Sequence, residues 1–278
     1  MTSLALAEQA VRDGDPEGAL KTLQDQVRHN PSDAKLRIFL FQLLCVAGQW
    51  ERALNQLNVA AELDPGALAM AQMYREALQC ERLRADVFAG KRSPVIFGEP
   101  EDWMALLIES LLVQGTDRRA ECESLRSRAF EAAPQTAGSI DGQPFEWIAD
   151  ADMRLGPVCE AIINGRYYWV PFERLARIDL EAPVDLRDVV WMPAHFQFAN
   201  GGESVGLIPT RYTESEASPD AQVRLGRKTA WTERAPDVFV GLGQRVLATD
   251  AAEHALMDVR ALVLGAAAGA DHESAADA

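Results

Sequence analysis

The chain has 278 residues, 48% of them apolar and 25% charged, with a net charge of -15. That length holds one or two domains, each able to bury a core, and the composition excludes a mostly disordered chain. The acidic balance repels nucleic acid and anionic membrane, so neither is an expected partner; a basic segment of another protein suits this field.

The N-terminus, MTSLALAEQAVRDGDPEG, has no basic leader, and Glu8 breaks its apolar run, so it does not read as a signal peptide. The most apolar stretch, residues 38–48, is too short to span a bilayer. Cys45, Cys80, Cys122 and Cys159 show no metal-ligand spacing and no C-x-x-C pattern. Free thiols in a reducing compartment, without disulfides, are the expectation, which places the chain in the cytoplasm of a bacterial or similar cell.

The first half repeats itself. GDPEGALKTLQDQVRHNP (14–31) aligns with GQWERALNQLNVAAELDP (48–65), so that Gly14, Ala19, Leu20, Leu23 and Pro31 fall on Gly48, Ala53, Leu54, Leu57 and Pro65. Every offset is 34 residues, the period of the tetratricopeptide repeat, a helix–turn–helix unit. The glycine permits the turn between helices A and B, the alanine lets the helices approach closely, and the proline ends helix B. Ser32 or Asp33 then caps the next helix. A third, degenerate copy spans 115–134 with Gly115, Ala120 and Pro134, and takes 102–114 as its helix A. A further helix is expected at about 67–89, followed by the Pro/Gly-rich loop GKRSPVIFGEP.

Arrays of this kind bind peptides or helices on the face lined by helix A. That face would carry Lys35, Ile38, Phe39, Gln42 and Cys45 from the second copy, with Asp102, Ala105, Glu109 and Leu112 from the third. The candidate partner contacts are Lys35, Ile38, Phe39, Gln42, Asp102 and Glu109. The alternative is that the C-terminal half fills this groove itself.

From about residue 140 the helical period fades. β-prone runs follow: PFEWIAD, GRYYWVPF, DVVWMPAHFQF, SVGLIPTRY, KTAWTE, DVFVGLG and RVLATD. Helices are expected at about 152–164 and 172–180, and another, or a partial strand, near DAAEHALMDVRALVLG. The fold class expected is multidomain, α and α+β. A tetratricopeptide-like α-α repeat domain (1–137) packs on an α+β domain (138–265) with a small, bent antiparallel sheet. The tail, 266–278, reads as disordered.

The second half holds eleven arginines against one lysine, Lys228, and four of the six tryptophans. Arginine pairs bidentately with carboxylates and stacks on rings, which lysine does poorly. A partly buried network of Asp150, Asp152, Arg154, Arg166, Trp169, Asp185, Arg187, Asp188, Trp191 and Arg211 is the economical reading, with a binding surface as the other. Each of Arg154, Arg166, Arg187 and Arg211 is expected to meet a carboxylate or an aromatic ring.

Catalytic signals are weak. Asp150, Asp152, Asp185 and Asp188 with His195 form the best candidate set for a metal-dependent or hydrolytic enzyme, and Cys159 with His195 a candidate nucleophile–base pair. No spacing matches a metal loop, no G-x-S-x-G elbow or phosphate-binding G-x-x-x-x-G-K-[ST] loop occurs, and GLGQR lacks the third glycine of a dinucleotide site. No cofactor and no catalytic residue is assigned.

The strings GSIDG, EWIADADMRLGPVCE, GRYYWVPFERL, LRDVVWMPA, VGLIPTRY, TAW and GLGQRVLATD occur in this order. Together with the repeats they resemble the ImpE/TagJ family of type VI secretion accessory proteins, over roughly residues 3–264. The resemblance implies a cytoplasmic, non-enzymatic adaptor. It implies binding to a helix of the small contractile-sheath subunit, and a link to the ClpV-type AAA+ ATPase that disassembles the sheath. It carries no contact residue over to this chain.

Overall fold

The computed structural model of the chain describes residues 3–114, 118–235 and 238–265. The helical part runs α1 (Ser3–Arg12), α2 (Pro16–His29), α3 (Ala34–Val46), α4 (Trp50–Leu63), α5 (Leu68–Phe88), α6 (Asp102–Val113) and α7 (Arg119–Ala132). The two in-register copies of the repeat become the pairs α1–α2 and α3–α4, and the third becomes α6–α7. Local chemistry starts the helices. Asp15 accepts from the Gly18 amide at 2.8 Å with Pro16 in the first turn, and Asp33 accepts from the amides of Lys35 and Leu36. Gly14 and Gly48 make the turns at φ +85 and +66, where a side chain would be strained. Gly115 lies outside the described residues, as does the tail from 266. Ala19 and Leu23, and their equivalents Ala53 and Leu57, are each 0% exposed.

The strands are β1 (Val95–Ile96), β2 (Gly138–Ile140), β3 (Gln143–Phe145), β4 (Ile148–Asp150), β5 (Val158–Ile163), β6 (Arg166–Pro171), β7 (Leu175–Leu180), β8 (Trp191–Phe198) and β9 (Glu203–Pro209). After the short helix α8 (Ala221–Arg224) come β10 (Thr229–Ala235), β11 (Val238–Gly243), β12 (Val246–Thr249), β13 (Glu253–Ala255) and β14 (Ala261–Leu264). The main sheet has nine strands in the order β1-β6-β5-β9-β8-β7-β14-β2-β3, antiparallel except for the β1–β6 pair. Smaller sheets are the β10–β11 hairpin and β13-β12-β4. The sheet is thus larger than the small one expected, within the same fold class.

Two expected helices are strands. Residues 158–163 form β5, in which all six residues are buried. A strand covered on both faces reads as a continuous apolar run, which periodicity does not separate from a buried helix; Gly156 and Pro157 before it are the helix-breaking signal. Residues 172–180 form a 3-10 turn and then β7. There a bulge between Leu175 and Arg177 shifts the register, so that buried Leu175 and Ile178 are three apart and imitate a helical stripe. The 250–265 run resolves into β13, a 3-10 turn at Leu256–Asp258 and β14.

One apolar cluster crosses from helices to sheet. It joins Leu23, Leu57, Tyr74 and Phe88 to Val158, Ile162, Trp169 and Trp191. A second cluster, with Cys159, Ala161, Ile163, Phe172, Phe196 and Leu262, fills the opposite face. The alternation along β5 therefore turns Val158, Glu160 and Ile162 towards the helices.

Candidate functional site

The helix-A face of the first two repeats carries a cleft of about 450 Å³. Leu4, Glu8, Val11 and Arg12 of α1 line it, with Lys35, Ile38, Phe39 and Gln42 of α3. Its third wall is Val184, Asp185 and Leu186 from the sheet region. Ile38 and Phe39 are half-buried, Val184 is 89% exposed, and Glu8, Arg12 and Lys35 are exposed at the rim. An apolar floor edged by both charge signs is the geometry of helix-in-groove recognition.

Four of the six candidate contacts, Lys35, Ile38, Phe39 and Gln42, thus meet in one cleft. Asp102 and Glu109 do not; they are exposed on α6, outside this lining. Gln42 is only 5% exposed and donates to Asp185 Oδ1 at 3.4 Å. Cys45 is corrected outright: it is 0% exposed, inside the core, because α3 is buried on nearly every side from Leu40 to Val46. Part of the expected groove is indeed filled by the C-terminal half, whose 3-10 turn Leu186–Val189 rests on α3.

Away from the cleft lining, a buried ion network ties α5 to the sheet. Glu160 on β5 is 0% exposed. It accepts from Arg84 Nε at 2.7 Å and Nη2 at 3.1 Å, from Arg245 Nη2, and from the Tyr167 hydroxyl. Arg245, 1% exposed, donates its other terminal nitrogen to Asp150. Glu81 on α5 accepts from the Trp191 indole at 2.7 Å and pairs with Arg84 at 3.4 Å. Burial alone would raise the Glu160 carboxyl, but the two guanidiniums bring it down to about 2. Burial lifts Asp150 to about 6 against the pull of Arg245. With donors from Arg245, Tyr212 and the Asp152 amide around it, Asp150 is still ionised at neutral pH.

The network members foreseen from sequence fall into three groups. Arg154 pairs with Asp152 at 2.6 Å and lies 4.7 Å from the Phe88 ring centroid. Arg187 pairs with Asp185 and lies 5.0 Å from the Tyr74 ring. Trp169, 0% exposed, donates to the Tyr167 hydroxyl, and Trp191 packs 5.7 Å from Tyr74. Asp188 accepts from the amides of Val184 and Asp185 and closes a capping box, with no arginine side chain paired to it among the described residues. Arg211 departs from the carboxylate or ring expected of it: it donates to carbonyls, those of Cys45 and Val46 at the end of α3 and of Arg224. Burial brings its pKa down to about 10. Arg166 corrects the expectation: it is exposed at the start of β6, where the chain has just left the sheet at Asn164–Gly165. Arg84, Glu81, Glu160 and Arg245 were not foreseen.

The proposed catalytic set does not converge. Asp150 and Asp152 face arginines, Asp188 caps a turn, and His195 sits half-exposed on β8, 3.5 Å from Glu203. Cys159 is buried, its thiol raised by burial to about 12, and strand register sets it about five residues along from His195, roughly 16 Å. Among the described residues no group of three or more His, Cys, Asp or Glu is placed to hold a metal. All four cysteines are free and buried. No described helix is long and apolar enough to cross a membrane.

Comparison with known proteins places this architecture. Residues 142–263 match the family model described as ImpE protein, and residues 10–78 match a tetratricopeptide repeat model. The chain is 51% identical over 257 residues to the type VI secretion system accessory component TagJ of Pseudomonas aeruginosa, covering 92% of this chain and 90% of that protein. It resembles the crystal structure of a Vibrio parahaemolyticus protein with a TM-score of 0.84 at 26% identity, over 93% of this chain and 97% of that one. At 51% identity over nearly the full length, the chain belongs to the ImpE/TagJ family of type VI secretion accessory proteins.

Proposed function

We propose that this chain is a non-enzymatic, cytoplasmic adaptor of the type VI secretion machine. It holds an amphipathic helix of the small contractile-sheath subunit in the cleft between α1, α3 and residues 184–186, and so brings sheath within reach of the ClpV-type ATPase. The observation that carries this reading is the cleft itself, an open apolar floor of Ile38, Phe39, Val11 and Leu4 on the face that repeats of this type use for partners. The acids best suited to catalysis are instead held by arginines and backbone amides. Helix-in-groove binding concentrates energy in a few apolar anchors, so one charged substitution in the floor is expected to weaken binding by about 30-fold or more.

Titration of a labelled sheath-helix peptide tests this. Phe39→Asp and Val184→Asp should both lose affinity, and Val184, which is 89% exposed, changes without threatening the core. Circular dichroism verifies the fold of each variant. Binding should fall only modestly with salt, since rim charges act mainly on the association rate. Equal affinity in both variants removes this cleft as the site; no binding by the unaltered chain removes the sheath-adaptor reading.

A further inference from the structure

A second cavity, of about 470 Å³, opens where the end of α5 meets α7 and the β10–β11 hairpin. It is separate from the cleft on α1 and α3. Its wall carries four arginines, Arg119, Arg126, Arg154 and Arg234, and two glutamates, Glu123 and Glu214. Two of these cations are matched already: Arg154 by Asp152 at 2.6 Å, and Arg234 by Glu214 at 3.5 Å. Arg119 donates to the Arg234 carbonyl and has no carboxylate partner among the described residues.

Arg126 is the anomaly. It is 6% exposed, its Nη2 donates to the Cys122 sulfur at 3.3 Å, and its buried Nε has no partner among the described residues. A thiol is a weak acceptor and no counter-charge. One turn away on the same face of α7, Glu123 Oε1 is also buried without a partner among the described residues. Folded chains leave few buried polar atoms unsatisfied, and a buried cation without a partner is costly. The cavity therefore lacks an acceptor beside its arginines and a donor beside its glutamate.

We propose that this cavity binds a phosphate group that retains a proton, either inorganic phosphate or a small phosphomonoester. The bare oxygens accept from Arg126 Nε and from Arg119, as guanidinium and phosphate geometry favours. The remaining P–OH donates to Glu123. The volume exceeds a bare oxyanion and lies within the range of small-ligand sites. Sulfate has the same shape but no proton at neutral pH, so Glu123 repels it. A phosphomonoester sheds its last proton near pH 6, whereas inorganic hydrogen phosphate keeps one well above neutrality. The pH profile therefore tells the two sources apart.

Isothermal titration calorimetry of the full chain with inorganic phosphate, sulfate and glycerol 3-phosphate is the test. Phosphate should bind at neutral pH, with sulfate weaker by about tenfold or more, since a charge-assisted hydrogen bond is replaced by repulsion. Glycerol 3-phosphate should bind well only below about pH 6 if the monoester is accepted. Arg126→Met should abolish phosphate binding while leaving the thermal midpoint of the free protein unchanged or higher, because it removes an unpaired buried charge. Glu123→Gln, whose amide donates to either anion, should erase the preference for phosphate over sulfate. No heat with phosphate, equal affinity for phosphate and sulfate in the unaltered chain, or full binding by Arg126→Met overturns the proposal. If Arg126→Met does not fold, a phosphate preference that survives Glu123→Gln overturns it equally.

Discussion

Replacing Glu160 by Gln tests whether the buried network holds the helical region to the sheet. The carboxylate is 0% exposed and receives two hydrogen bonds from Arg84, one from Arg245 and one from Tyr167. Glutamine keeps the volume but loses the charge. Arg84, whose side chain is 5% exposed, then retains Glu81 at 3.4 Å as its sole carboxylate in the described network, and Arg245 retains Asp150. Removing one partner of a buried, hydrogen-bonded pair costs up to about 3–5 kcal/mol, and here two desolvated cations lose the carboxylate they share and keep one each. That is a large fraction of the 5–15 kcal/mol by which domains are ordinarily stable, and it corresponds to a fall in thermal midpoint of roughly 10 °C for a chain of this size.

Differential scanning fluorimetry, with urea unfolding to verify an unchanged slope, reads the shift. Arg177→Ala serves as contrast, since the Arg177–Asp179 pair is about 40% exposed on both sides and surface pairs are worth about 0–1 kcal/mol. If Glu160→Gln moved the midpoint no further than Arg177→Ala, the account of the network as a structural clamp would be wrong.

Two more predictions follow from the same contacts. The folded pKa of Glu160, about 2, lies below its ordinary 4.5. The stability it adds is therefore complete above pH 4.5 and is lost as pH falls towards 2, an amount of roughly 3 kcal/mol. The stability gap between the unaltered chain and Glu160→Gln should accordingly narrow across that window, and a gap constant from pH 4.5 to 2 in denaturant titrations would contradict the assignment. Residues 1–137 expressed alone should show a broad, non-cooperative thermal transition by circular dichroism. In that fragment Arg84 loses Glu160, Glu81 and Tyr74 lose Trp191, and Phe88 loses Trp169; a sharp transition near that of the full chain would refute a shared core.

What could be read in advance was local chemistry. The 34-residue offset, the turn glycines and the Asp33 cap all act within one helical hairpin, so a single sequence displays them. The network centre was hidden because Arg84 and Glu160 are 76 residues apart. Two signals pointed there. Glu160 stands alone in the otherwise apolar run VCEAII, and Glu81 with Arg84 sits at i,i+3 on a helix face shared with Ala77, Leu78, Cys80 and Val87. Neither names its partner. The cleft was half readable for the same reason. Helix-A periodicity placed Ile38 and Phe39 on it, but the wall at residues 184–186 comes from the far half of the chain.

The excess of arginine over lysine has a second cause besides ion pairing. Helix A of each in-register repeat ends at a glycine turn, which leaves its last carbonyls without intrahelical partners. Arg227 donates to the carbonyls of Val11 and Arg12 at the end of α1, and Arg211 donates to those of Cys45 and Val46 at the end of α3. A forked, permanently charged side chain can satisfy two carbonyls at once and face the negative end of the helix dipole, which a lysine ammonium does less well. The turn glycines complete the fit: a Cβ at Gly14 would come within 2.6 Å of the Gln222 side chain, and one at Gly48 within 2.5 Å of Glu216. The segment 211–227 therefore holds both helix-A ends, and the capping box at 185–188 seats the third wall beside α3. The cleft is composite: its floor comes from repeats, and the spacing of its walls from arginines more than 150 residues away in the chain.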